Sequence, residues 1–179
     1  MPNLLSADSY RIETLSAAHD RGAFSCGIEE LDHYLKRMAS QDTRRGIAVV
    51  HVMVDITAPQ TMLGFYSLSA LSVPLGGFPD RVRKRLPKYP AVPVALIGRL
   101  ATDLRSRGKK LGALLLVDAL LRICQISEQS MGVYAVVVDA KYEDVVPFYL
   151  QFGFVRFHDS PLRLFIPVHT AREAVRDLL

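Results

Sequence analysis

The residues best suited to chemistry lie in one short stretch, Arg105-Ser106-Arg107-Gly108-Lys109-Lys110-Leu111-Gly112. Glycine lets an anion approach the backbone closely. A helix that begins there leaves its first N–H groups without intrahelical acceptors, and its dipole adds positive potential at that end. Phosphate is the ligand such a turn suits. Arg105, Arg107, Lys109 and Lys110 surround it with basic side chains. The alternative is a plain strand-to-helix turn with solvated charges, and a short glycine motif does not decide between the two.

Charge is unevenly spread. Residues 56–79 carry none, whereas residues 81–102 hold Arg81, Arg83, Lys84, Arg85, Lys88 and Arg99 without an acid. On a chain of net charge +4 this basic middle suits a polyanionic partner or a phosphate-rich ligand; a solvated face is the other possibility. The two cysteines, Cys26 and Cys124, are too few for a disulfide framework and fit a reduced, cytoplasmic protein. Both sit in apolar stretches without a neighbouring histidine, which points to structural thiols rather than nucleophiles. The first fifteen residues have neither a basic start nor a long apolar run, so no signal peptide or membrane span is expected. No metal site is expected either.

The elements that must position these residues follow from periodicity. With 179 residues, half of them apolar, the chain is expected to be one globular domain over 1–179. Tyr10–Leu15 alternates as a strand. Apolar Ile28, Leu31, Tyr34, Leu35 and Met38 predict a helix to about Gln41, starting after Gly27. Residues 47–56 and 62–73 read as a hairpin turning around Ala58-Pro59. Pro79–Leu86 is a short basic helix or loop. Val92–Thr102 reads as a central, buried strand, and Leu111 to about Ser127 as the longest helix, covered by a sheet. Val133–Asp139 is a second buried strand and 144–151 a short helix. Short strands at 154–157 and 162–167 and a helix over 171–179 close the chain. This is an α/β order around one sheet.

Two of these segments resemble the GNAT superfamily of acetyltransferases. Arg105-x-x-Gly108-x-Lys110 is similar to its acetyl-CoA motif, with Lys110 standing where the family has a small residue. Family members accept alanine there, so a left-handed backbone is not expected at that position. Val136-Val137-Val138-Asp139-Ala140 followed by Phe148-Tyr149-Leu150-Gln151-Phe152-Gly153-Phe154 resembles the family's second half. The resemblance implies the GNAT fold, an α/β arrangement with a single mixed sheet flanked by helices and splayed between its two central strands. The pantetheine arm of acetyl-CoA is then expected along Leu100, Ala101 and Thr102. Arg105, Arg107, Gly108, Lys109, Lys110, Leu111 and Gly112 are expected around the phosphates, and Phe148 and Asp139 nearby. Tyr149 is implied as the proton donor to the departing thiolate; aromatic packing is its alternative role. Asp139 orients the substrate amine or caps a helix.

A narrower resemblance runs from about His19 to Pro167. Phe24-Ser25-Cys26-Gly27, Leu31-Asp32-His33-Tyr34-Leu35, Leu63-Gly64-Phe65-Tyr66-Ser67, Arg85-Leu86-Pro87-Lys88-Tyr89-Pro90 and Gly98-Arg99-Leu100-Ala101 look like the GNAT toxins of type II toxin–antitoxin modules. Such toxins acetylate the α-amine of aminoacyl-tRNA, pair with a ribbon-helix-helix antitoxin and are commonly dimers. Lys36, Arg37, Arg44, Arg45, Arg81, Arg83, Lys84, Arg85, Lys88 and Arg99 are then expected at the RNA. The lack of an obvious base fits an α-amine, whose pKa of roughly 7.7–8.0 leaves a useful neutral fraction. An acetyltransferase of a small amine or protein, and a partner-binding protein with an impaired cofactor turn, are the competing functions. Lys110 is the residue behind the second of these and would attenuate the enzyme by crowding the pyrophosphate.

Overall fold

The computed structural model describes residues 9–177. Its first half runs β1 (Tyr10–Thr14), α1 (Glu29–His33), a π-helical segment (Tyr34–Met38), α2 (Ala39–Arg44), β2 (Val49–Asp55), β3 (Ala58–Pro74) and α3 (Asp80–Arg83). The second runs β4 (Ala91–Thr102), α4 (Leu111–Gln129), β5 (Ala135–Asp139), α5 (Val146–Leu150), β6 (Val155–Arg156), β7 (Arg163–Pro167) and α6 (Val168–Arg176). The strands form one mixed sheet in the order β1-β2-β3-β4-β5-β7-β6. β4 and β5 run parallel; β1–β2, β2–β3, β5–β7 and β6–β7 are antiparallel. The described residues divide into two compact units: those up to Leu68 with Arg99–Asp118, and Ser69–Gly98 with those from Ala119 on.

In the first unit, β2 is buried from Val50 to Val54. Phe24, Tyr34, Leu35, Met62 and Phe65 close over it, with the Phe24 and Phe65 rings edge-on at 5.6 Å. The hairpin turns at Ile56-Thr57 rather than at Ala58-Pro59, which begin β3. The Asp55 carboxylate causes this, accepting from the Thr57 backbone N–H at 2.8 Å and its hydroxyl at 2.7 Å, an Asx turn that leaves no need for the later Pro.

The helix predicted from Ile28 is present but interrupted, and it extends to Arg44. Tyr34, Leu35 and Ala39 are buried as the apolar spacing requires, yet Met38 is 44% exposed. The π-helical turn Tyr34–Met38 inserts an extra residue. The inward position after Leu35 therefore falls on Ala39 instead of Met38.

The second unit is built on β5, whose Ala135–Val138 are fully buried. Phe78 packs against Phe157 and Phe165 with both ring centroids at 5.0 Å. The parallel register ends at Ile97↔Val138, and β4 continues beyond it to Thr102. Gly98, Arg99 and Leu100 are only half-buried, so β4 is not the uniformly buried strand expected. α3 is confined to Asp80–Arg83 and β6 to two residues. α6 starts at Val168, earlier than expected, and the last two residues of its predicted range lie outside the described residues.

Gly64 is a tight point of the first unit. A Cβ there would lie 2.8 Å from the Ala101 carbonyl oxygen and 2.7 Å from a Leu115 methyl. The backbone oxygen cannot yield as a side chain could. Gly64→Ala is expected to lower stability by about 1–3 kcal/mol through overpacking, read as a lower urea midpoint with an unchanged slope.

Candidate functional site

β4 ends at a buried carboxylate. Asp103 is 2% exposed and accepts from the backbone N–H of Ser25 at 3.1 Å and of Arg105 at 2.9 Å. The Arg105 guanidinium grips it from Nε at 2.7 Å and Nη2 at 3.0 Å. Burial works against the charged form of Asp103, but the bonds from Arg105 and Ser25 outweigh it and hold the carboxyl below its usual range. Two backbone bonds join the same strand end to its surroundings, from Asp103 N–H to Leu63 O at 2.9 Å and from Leu104 N–H to Ser25 O at 2.8 Å. A second carboxylate, Asp32, accepts from Cys26 N–H at 2.8 Å and the Ser25 hydroxyl at 2.9 Å. The loop before α1 is thereby fastened to the end of β4.

Between them lies an open pocket of about 240 Å³, lined by Cys26, Ile28 and Leu31 on one side and by Leu100, Ala101, Thr102, Arg107 and Gly112 on the other. The last five were expected; Cys26, Ile28 and Leu31 were not. Their signal was the apolar spacing behind Gly27, which marks a helix without saying what its exposed start faces. The Cys26 thiol is pushed up to about 11, first by burial and then by Asp32. It stays a neutral wall group. Cys124 in the second unit is buried, and burial raises its pKa too.

The turn that follows departs from expectation in its backbone. Gly108 has φ +79° and Lys110 φ +55°. Lys110 is the one non-glycine residue with positive φ among the described residues. Left-handed residues on either side of Lys109 are the backbone pattern from which anion-binding nests are built; the Lys109 N–H itself bonds to Ser106 O at 3.4 Å. A lysine in that conformation costs roughly 1–2 kcal/mol that a glycine does not. Lys110 thus adopts a left-handed backbone, which the family's alanine did not lead one to expect. Leu111 and Gly112 open α4, where N–H groups have no acceptor within the helix. Arg105 spends its guanidinium on Asp103 and on the Ala23 carbonyl at 3.3 Å, whereas Arg107, Lys109 and Lys110 are exposed. The apolar slot meets this turn at Arg107 and Gly112, an arrangement suited to the arm and the phosphates of an acyl-CoA.

In the second unit Tyr149 lies on α5, 7% exposed, between Phe148 at 5.1 Å and Phe154 at 5.6 Å, both edge-on. Burial, and then the negative charge of Asp139, push its phenol up to about 12. At neutral pH the group is a proton donor and never a base. Asp139 does not cap a helix: Tyr142 precedes the next helical turn, and Arg163 holds the carboxylate at 2.7 and 2.9 Å across the β5–β7 register. Arg163 was missed because its pairing depends on a register that no local pattern announces.

The basic residues fall in two sets. Lys36, Arg37, Arg44 and Arg45 are exposed on the π-helical segment and at the end of α2. Arg99 lies over the Tyr34 ring at 3.6 Å, which places it beside that helix. In the second unit Arg81, Arg83, Lys84, Arg85 and Lys88 are all exposed. Arg83 is paired with Asp80 at 2.6 Å. Among the described residues no helix is long and apolar enough to cross a membrane, and no group of three or more His, Cys, Asp or Glu is placed to hold a metal.

A mixed sheet whose fourth strand runs into an anion-binding turn and a long helix defines an acyl-CoA N-acyltransferase of the GNAT class. No family model matches the chain. A probable toxin TacT of Sinorhizobium fredii is 33% identical over 161 residues, 86% of this chain and 88% of its own length. A tRNA-acetylating toxin of Mycobacterium tuberculosis is 34% identical over 163 residues, 91% of this chain and 95% of its own. Among solved structures, AtaT complexed with acetyl-methionyl-tRNAfMet superposes with a TM-score of 0.84 at 26% identity, covering 92% of this chain and 98% of that one. AtaTR bound with acetyl-CoA gives 0.80 at 26%, over 93% and 98%. AtaT bound to the C-terminus of the antitoxin AtaR gives 0.78 at 25%, over 93% and 98%. The chain belongs to this TacT/AtaT-like family of GNAT toxins.

Replacing Lys110 by Gly removes the left-handed cost and opens the nest. Lys110→Gly is expected to raise thermal stability and tighten acetyl-CoA binding several-fold, measured by calorimetry beside the parent. Weaker binding in the Gly variant would instead make the ammonium a phosphate ligand.

Proposed function

We propose that this chain moves the acetyl group of acetyl-CoA to the α-amine of aminoacyl-tRNA and so blocks translation. The observation that carries this is the match to a tRNA-acetylating toxin over 91% of the chain, joined to a pocket lined by Arg107 and Gly112 on either side of the left-handed turn. When bound, acetyl-CoA supplies the acetyl group through a thioester whose cleavage releases a thiolate. The chain's own residues do the rest. Leu100–Thr102 offer a strand edge to the pantetheine arm, and the N–H groups around Gly108 and Lys110 take the phosphates. Tyr149 keeps its proton at Oη for the leaving sulfur. Arg163 fixes Asp139, which leaves that carboxylate able to attract an amine only as part of a neutralised pair.

The basic residues support an RNA partner, with exposed Lys36, Arg37, Arg44 and Arg45 and half-buried Arg99 in one set and exposed Arg81, Arg83, Lys84, Arg85 and Lys88 in the other. A cytoplasmic homodimer held in check by a ribbon-helix-helix antitoxin completes the reading. Lys110 attenuates the enzyme through its strained backbone as well as its bulk.

Tyr149→Phe keeps the ring and loses the donor. Turnover on charged tRNA is expected to fall by roughly 10²–10⁴-fold with acetyl-CoA affinity unchanged. In the parent, the rate should rise with pH as the amine deprotonates near 8. It should not fall again below about pH 10, because the phenol titrates only near 12. A turnover and pH profile left untouched by the Phe variant would remove Tyr149 from the chemistry.

Neutralising Arg81, Arg83, Lys84 and Arg85 together is expected to weaken tRNA binding and flatten its dependence on salt. Acetylation of a small polyamine serves as the comparison. A variant with an unchanged KM for charged tRNA across a salt series would move that cluster out of the RNA interface.

A further inference from the structure

Tyr89 is the most exposed large apolar side chain among the described residues, at 66%. It makes no ring-to-ring contact among those residues. An aromatic ring set out in water gains nothing for the fold. Its backbone, in contrast, is firmly held. Tyr89 lies between Pro87 and Pro90; its N–H bonds to Pro87 O at 2.8 Å, and Pro90 O accepts from Leu75 N–H at 3.2 Å. A residue before proline is restricted to extended conformations, so the ring is presented from a stiff support. Within eight residues upstream stand Arg81, Arg83, Lys84, Arg85 and Lys88, all exposed. Asp80 is engaged with Arg83, and no further acid follows in the chain until Asp103.

We propose that Tyr89 is a stacking platform for an unpaired nucleotide of the RNA substrate. The proposal rests on the RNA reading above. Cations that follow a phosphate backbone, combined with an exposed aromatic face, are the chemistry that receives single-stranded nucleic acid. A paired stem keeps its bases stacked on one another and out of reach of such a ring.

The position within the second unit also says which nucleotide. Tyr89 lies two residues ahead of β4, whose parallel register with β5 ends at Ile97↔Val138, next to Asp139. Between Tyr89 and Ile97 run the bend at Pro90 and the seven strand residues Ala91–Ile97, roughly 23 Å of strand at about 3.3 Å per residue. The platform therefore grips the RNA away from the aminoacylated terminus, at a loop or junction base.

The test uses the full chain with three RNAs: a charged tRNA, a charged minihelix that keeps only the acceptor stem and 3′ end, and a loop-bearing hairpin. Tyr89→Ala is expected to bind the tRNA and the hairpin about tenfold more weakly. It should raise KM for tRNA with little change in kcat, and leave minihelix and acetyl-CoA binding at the parent's values. Tyr89→Phe should behave as the parent. The platform is overturned if Tyr89→Ala binds tRNA normally, or if Tyr89→Phe is as weak as Tyr89→Ala, which would indicate the hydroxyl instead of the ring. Equal loss on the minihelix would overturn the remote position. A parent that binds none of the RNAs would overturn the RNA reading itself, and the platform with it.

Discussion

The Asp103 carboxylate is the constraint on which the cofactor side of the molecule depends. A negative charge so deeply buried is tolerable only when fully bonded, and Asp103 satisfies this with two backbone N–H groups and a two-pronged guanidinium. Those partners come from the loop before α1 and from the turn before α4. The charge therefore cannot be satisfied unless both walls of the pocket are in place. One carboxylate ties the loop before α1 to the start of the turn before α4. Arg105 accordingly acts as a structural partner of the turn more than as a hand reaching for phosphate.

The same economy operates around the reacting end. Tyr149, the proposed acid, keeps its proton first through burial and then through the charge of Asp139. Asp139 would work against proton release by raising the phenol further, and Arg163 limits that influence by neutralising the carboxylate. A substrate amine that is partly neutral at physiological pH asks for no base.

Local patterns made much of this legible. Glycine and lysine after an apolar run located the turn before α4, and the Val136–Val138 run located the buried strand, because both signals are carried by adjacent residues. The parts that were not legible involve partners far apart in sequence or unusual backbone. Ser25 and Asp103 lie 78 positions apart; Asp139 and Arg163 meet only through strand register. Nothing in the side chain of Lys110 announces a left-handed backbone, and alanine in relatives suggested the opposite. The hairpin turn was misplaced because Ala58-Pro59 is the louder signal, whereas the Asp55 carboxylate decides the geometry.

The π-helical segment Tyr34–Met38 has an effect on how this chain is compared with others. A relative whose helix is regular here would have one residue fewer between Leu35 and Ala39 and still present the same inward side chains. Aligned by sequence, the two would show a single-residue gap inside a helix, and a gapless alignment would match Met38 to the wrong partner. Lys36 and Arg37 lie in the turn where that gap would have to be placed. Their apparent gain or loss between relatives therefore reflects the winding of one turn as much as a change in the charge offered to a ligand.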